Sequence, residues 1–147
     1  MYSYKSNAAS QEQILAHFRE CAFEPRLESY VNPEEYVEKI LNYAQRFECW
    51  NGTSLAGLVA IYANDKDSGA SFITMVSVGT QYGGKGIAGN LIEQAIDFTR
   101  AKGFRRVRLE VFSANQRAIR LYRRFGFEEV QSGEDKLIME LELQNND

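Results

Sequence analysis

A chain of 147 residues, 44% apolar and 25% charged, suits one globular domain across 1–147 that needs no staples, and it argues against disorder. Two cysteines (Cys21, Cys49) and one histidine (His17) exclude a disulfide scaffold and leave too few soft ligands for a structural zinc site, so no metal is expected. The net charge of −3 hides a basic stretch at 81–124, where ten Lys and Arg face three acids; this suits a local anionic ligand, while the acidic remainder disfavours nucleic acid.

Residues 1–18 are polar with no apolar signal core, and the longest apolar or small run, 55–63, is too short to span a bilayer. No membrane partner and a cytoplasmic home are expected. Residues 11–23 carry Ile14, Leu15, Phe18, Ala22 and Phe23 at helical spacing until Pro25 ends the run. Asn32-Pro33-Glu34-Glu35 predicts a second helix, with asparagine as N-cap, proline in the first turn and two acids at the positive end of the dipole. Tyr36, Val37, Ile40, Leu41 and Ala44 form its buried stripe.

From position 46 the pattern changes to strands. Residues 47–50, the dipeptide Asn51-Gly52 and residues 55–62 predict a tight hairpin. A polar loop at 64–69 leads to a third strand at 70–78. A turn at 81–89 then holds Gly83, Gly84, Gly86 and Gly89. Ile87, Ala88, Leu91, Ile92, Ala95 and Phe98 repeat at helical spacing until Gly103 stops them. Residues 105–112 alternate, with Val107, Leu109 and Val111 on one face and Arg108 and Glu110 on the other. Residues 115–125 predict a short helix with Ala118, Leu121, Tyr122 and Phe125 inward, closed by Gly126, and 127–130 with 137–143 a terminal hairpin. The expected order is α-α-β-β-β-α-β-α-β-β, an α/β (α+β) fold with a mixed sheet and helices on its faces.

A strand, a glycine turn and a helix make an anion site in any fold, because the first helical turn has unpaired N–H groups and glycines let a phosphate approach the backbone. Three motifs fit. Residues 79–85 match a nucleoside-triphosphate loop up to its last position, where Gly86 replaces the hydroxyl residue that holds Mg²⁺. Gly84-Lys85-Gly86-Ile87-Ala88-Gly89 matches the dinucleotide fingerprint, with Glu110 ending the next strand. That turn starts five residues late, however, and only one β-α-β unit is present. The third is Gln81-x-x-Gly84-x-Gly86 followed by Ile87-Ala88.

With Val76-Ser77-Val78 before it and Asn115-x-x-Ala118-x-x-Leu121-Tyr122-x-x-Phe125-Gly126-Phe127 after it, the chain resembles the GNAT N-acetyltransferase family, closely over 73–128 and in element order throughout. The resemblance implies a mostly antiparallel sheet of about six to seven strands whose fourth and fifth members splay apart. It also implies acetyl-CoA as co-substrate, its pyrophosphate on the loop of Gln81, Gly83, Gly84, Lys85, Gly86, Ile87 and Ala88 and its pantetheine arm along Val76, Ser77 and Val78. A backbone N–H near Val76 then polarises the thioester. Asn115 contacts the coenzyme besides capping its helix; the charge of Lys85, Arg117, Arg120, Arg123 and Arg124 suits attraction of its phosphates, and a solvated helix face is the alternative role for each arginine. One departure is Gly83, where the family commonly has arginine.

Tyr122 matches the tyrosine that protonates the leaving thiolate, a task suited to a phenol that is protonated at neutral pH. The family's general base is harder to place, because 70–78 contains no carboxylate. Glu110 is the best placed acid, with Tyr62 and Glu24 as more distant options; a partner for Arg106 or Arg108 is its plain structural role, and an amine arriving neutral needs no base.

The implied acceptor is a small-molecule amine. Acids of the first third, among them Glu24, Glu28, Glu35 and Glu48, favour a cationic one, whereas Phe23, Tyr30, Tyr36 and Trp50 suit an apolar or amino-sugar pocket. His17 lies far from the motifs and reads as structural, and both cysteines as small buried hydrophobes. A homodimer is one option for the oligomer. Two further functions fit the same residues: a coenzyme A-binding sensor without turnover, and the dinucleotide-binding oxidoreductase.

Overall fold

A computed structural model describes residues 1–143; positions 144–147, expected within the same domain, lie outside the described residues. Seven strands and four helices follow in the order β1 (Tyr2–Ser6), α1 (Gln11–Arg19), α2 (Pro33–Tyr43), β2 (Gln45–Asn51), β3 (Ser54–Tyr62), β4 (Ala70–Val78), α3 (Ile87–Ala101), β5 (Arg106–Phe112), α4 (Gln116–Arg124), β6 (Glu128–Ser132) and β7 (Lys136–Glu142). The sheet runs β1-β2-β3-β4-β5-β7-β6. Every neighbouring pair is antiparallel except β4 and β5.

β1 corrects the expected order, which began with a helix. It is an edge strand with only Tyr2 half-buried, so its sequence shows no alternation to betray it. The first helix also stops at Arg19, short of the expected 23. Its start is a capping box: the Gln13 N–H donates to Ser10 Oγ at 3.2 Å and the Ser10 N–H to Gln13 Oε1 at 2.9 Å. α2 starts as predicted, with the Glu35 N–H donating to Asn32 Oδ1 at 3.0 Å.

Two apolar layers sandwich the sheet. On one face α3 and α4 bring Leu91, Ile92, Ala95 and Ile119 against Val59, Val107, Leu109 and Met139. On the other, α1 and α2 bring Ile14, Phe18, Val37 and Ile40 against Leu58, Ala60 and Met75. β3 lies between them and is buried on both faces, which explains its unbroken apolar run. Trp50 belongs to the second layer and Glu48 is wholly buried. Neither stands at a pocket rim, contrary to expectation: Glu48 serves as the acceptor that lets the Trp50 indole N–H and nearby backbone groups leave water.

Where β3 crosses α3, Gly57 leaves no room for a side chain: an added Cβ would sit 2.6 Å from Ile87 Cγ2 and 3.3 Å from Leu91 Cδ1. Gly57→Ala should cost about 1–3 kcal/mol by overpacking, read as a lower urea midpoint with an unchanged slope. Because Ile87 opens α3, the same substitution should loosen the glycine bend before it.

The parallel ladder is short. It runs from Ala70↔Arg106 to Ile73↔Leu109 and ends there, while β4 continues to Val78 and β5 to Phe112. Beyond that point each strand is held on its outer side, β4 by β3 up to Gly57↔Val78 and β5 by β7 up to Phe112↔Lys136. The two inner edges therefore part and leave main-chain donors and acceptors facing an opening.

Candidate active site

That opening is the head of a cleft of about 440 Å³. Val76, Ser77 and Val78 line it from β4, Glu110 from β5, Asn115 from the cap of α4 and Tyr122 from α4 itself, so six of the residues singled out in the sequence meet there. The segment after α1 supplies Cys21, Phe23, Glu24 and Tyr30, and α2 supplies Tyr36. Tyr62, the distant candidate base, opens instead onto another depression beside Arg106 and Arg108.

The glycine turn follows β4 through a tight turn at Thr80–Tyr82, where Gln81 is exposed. Gly84 and Gly86 both have φ of 75°, and open space surrounds both where a Cβ would be. Gly86 caps α3 without any side-chain acceptor, so the N–H groups of Ile87, Ala88 and Gly89 begin the helix uncapped. The Ile87 side chain faces the core, leaving its backbone to the bend. Lys85 is exposed, as are Arg117, Arg120, Arg123 and Arg124 on α4. Phe125 comes within 3.7 Å of the Gly89 Cβ position, which sets the basic last turn of α4 beside the first turn of α3. Gln81, Gly83, Gly84, Lys85, Gly86, Ile87, Ala88 and Arg124 thus gather at the end of β4, next to the cleft rather than in its lining.

Asn115 caps α4 as expected, accepting the Ala118 N–H on Oδ1 at 3.2 Å. Tyr122 is 7% exposed, with its ring edge-on to Phe127 at 6.0 Å. Burial pushes its phenol up to about 12, so it is a proton-bearing group throughout the neutral range. Glu110 pairs with Lys136, whose Nζ lies 3.3 Å from Oε1. The arginines considered as its partners turn elsewhere, because the β5–β7 register sets Arg106 opposite Glu142 and Arg108 opposite Glu140. Tyr36 closes the far end by donating its hydroxyl to the Thr74 carbonyl at 2.7 Å. The rings of Tyr30 and Phe112 meet edge-on at 5.3 Å.

His17 corrects a sequence expectation: it lies against the motif strand. Its Nδ1 is 3.0 Å from the Leu55 carbonyl, an acceptor only, so that nitrogen carries the proton. Nε2 then accepts from the Ser77 hydroxyl at 2.9 Å, and the Ser77 oxygen keeps only lone pairs for the cleft. Cys21 is half-buried at the cleft wall, not a core residue, with Sγ 3.5 Å from His17 Nε2; burial pushes its thiol up to about 12, which keeps it un-ionised. Cys49 is buried as expected. Nothing local announces the His17–Ser77 contact, since the two are sixty positions apart.

Burial lowers His17 to about 4 from its ordinary 6.5. Between these values the unfolded chain binds a proton that the folded chain refuses, so stability falls as pH drops through 6.5, by about 3 kcal/mol once pH 4 is reached. Urea unfolding at pH 7.5 and 4.5 should show this loss, and His17→Gln should remove it while carboxylate contributions remain.

Among the described residues no cluster of His, Cys, Asp and Glu is arranged to hold a metal, and no helix is long and apolar enough to cross a membrane.

A parallel strand pair that parts into a cleft and runs on into a glycine bend and a helix start is the arrangement that the resemblance read from the sequence implies. The sequence model of the acetyltransferase (GNAT) family matches residues 11–127, and the chain belongs to that family, an acyltransferase of the N-acetyltransferase type. Solved structures agree in fold. The ribosomal-protein-S18-alanine N-acetyltransferase of Escherichia coli superposes with a TM-score of 0.81 at 19% identity, over 100% of this chain and 97% of that one. The PaiA N-acetyltransferase of Thermoplasma acidophilum, in complex with coenzyme A, gives 0.79 at 19% identity over 96% and 99%. NAA60 of Arabidopsis thaliana, in complex with a bisubstrate analogue, gives 0.76 at 18% over 97% and 98%. A search of curated protein sequences finds no match.

Proposed function

We propose that this protein transfers an acetyl group from acetyl-CoA directly to the amine of a small cationic acceptor. The observation that carries the reading is the parting of β4 and β5 after Ile73↔Leu109, which frees a strand edge that a pantetheine amide can pair with. In this reading Val76, Ser77 and Val78 hold the arm, and the amides of the bend from Gly83 to Ala88 receive the pyrophosphate on the helix dipole. Gln81, Lys85, Asn115 and Arg124 flank it. A Val76 N–H polarises the thioester carbonyl, Glu110 takes the proton of the attacking amine, and Tyr122 gives one to the departing thiolate. Glu24 and Glu110 beside Tyr30, Tyr36 and Phe112 suit an ammonium: carboxylates attract it and aromatic faces favour it.

Thiol release from acetyl-CoA over a panel of diamines, amino sugars and short peptides with free N-termini tests the acceptor. Turnover confined to the peptide arm would overturn the small-molecule part. Tight coenzyme A binding with no turnover on any arm would leave a sensor, and NAD binding in its place an oxidoreductase.

Gly83 offers a constructive test. Its φ of −67° and ψ of 155° suit any residue, and an added Cβ meets only the Thr80 carbonyl at an ordinary 3.6 Å. Gly83→Arg should bring a guanidinium to the bend and tighten coenzyme A binding roughly three- to tenfold, less so in high salt. Calorimetry at two ionic strengths reads both effects.

A further inference from the structure

We propose that Lys136 is an acetyl acceptor of this enzyme itself, modified within the same chain; this rests on the acetyl-CoA reading above. Of the chain's lysines, Lys136 is the one that lines the cleft among the described residues. It begins β7 opposite Phe112, and its side chain reaches across that ring to the carboxylate proposed as base. Nζ lies 3.3 Å from Glu110 Oε1, 5.1 Å from the Phe112 ring centre and 5.9 Å from that of Tyr30. A primary ammonium thus already sits between aromatic faces and a carboxylate, the surroundings argued above for a substrate amine. Stability does not explain the pair, because both side chains are more than a third exposed and such pairs contribute little.

The reaction balances without any further reagent. The ammonium passes one proton to Glu110, and the neutral Nζ attacks the thioester carbonyl carbon. A C–N bond forms as the C–S bond breaks. Tyr122 protonates the thiolate and is restored through water by the second proton of the amine, while Glu110 releases its own to solvent. Lys136 ends as an uncharged amide, and Glu110 is left unpaired for an amine from solution.

The test is incubation of the full chain with acetyl-CoA carrying a deuterated acetyl group, followed by intact mass and peptide mapping. The expected result is one label, on Lys136, forming at a first-order rate that is constant over a hundredfold range of protein concentration. Lys136→Arg should carry none there, and Tyr122→Phe should form it at least tenfold more slowly. A rate that scales with protein concentration overturns the proposal, as does equal labelling in Tyr122→Phe or in heat-unfolded protein. Acetyl-CoA binding by calorimetry separates the remaining failures. Binding without a Lys136 label overturns this inference alone, whereas no binding overturns it together with the function it rests on.

Discussion

Tyr122→Phe is expected to lower kcat by about a hundredfold or more, with little change in KM for acetyl-CoA, because a positioned acid typically contributes 10²–10⁴-fold and acts only as the thiolate leaves. The substitution removes one oxygen. It keeps the ring, its edge-on contact with Phe127 and its place in the core, so the fold should lose little. Burial pushes the phenol up to about 12, which adds a pH signature: Tyr122 should supply no falling limb to kcat below about pH 11. Single-turnover acetyl transfer and a pH profile check both statements. Full turnover in Tyr122→Phe with a verified amine would remove the tyrosine from the reaction. The carboxylate is a separate question, because its pairing with Lys136 means that Glu110→Gln changes the charge felt by an acceptor as well as the proton path.

The largest stability effect is expected at Glu48→Ala. The carboxylate is 0% exposed and has no solvent to fall back on. Oε1 accepts from the Ala8 N–H at 3.0 Å and the Trp50 indole at 3.2 Å. Oε2 accepts from the Ala9 N–H at 3.1 Å and Arg46 Nε at 3.2 Å. Removing it strands four donors, one of them on the buried Arg46 guanidinium, a loss of about 3–5 kcal/mol. That is a large share of the ~5–15 kcal/mol that holds a domain of this kind together. Glu48→Gln keeps an acceptor oxygen and should fall between. Chemical denaturation ranks the three proteins, and a Glu48→Ala variant within 1 kcal/mol of the parent would show the network to be slack. The consequence extends to the cleft, because these bonds tie the segment ahead of α1 to β2, and α1 brings His17 against Ser77 of the cleft lining and leads into Cys21.

The sequence alone determined those features that are set by neighbours a few positions away. The Asn51-Gly52 hairpin, the Asn32 and Asn115 caps and the stops at Gly103 and Gly126 each follow from local backbone sterics and one or two hydrogen bonds, and each is found where its residues stand. The two motifs around Gly84 and Tyr122 were legible for the same reason, and with them the family. β1 was not, since an edge strand earns its place from a partner, here β2, and shows no periodicity of its own. Tertiary structure alone decided where the β4–β5 ladder ends, because that depends on how far β3 and β7 hold the outer edges. It also decided that Glu110 meets Lys136 and that His17 meets Ser77. Such contacts depend on sheet register and on which helix covers which face, quantities that no short stretch of residues encodes.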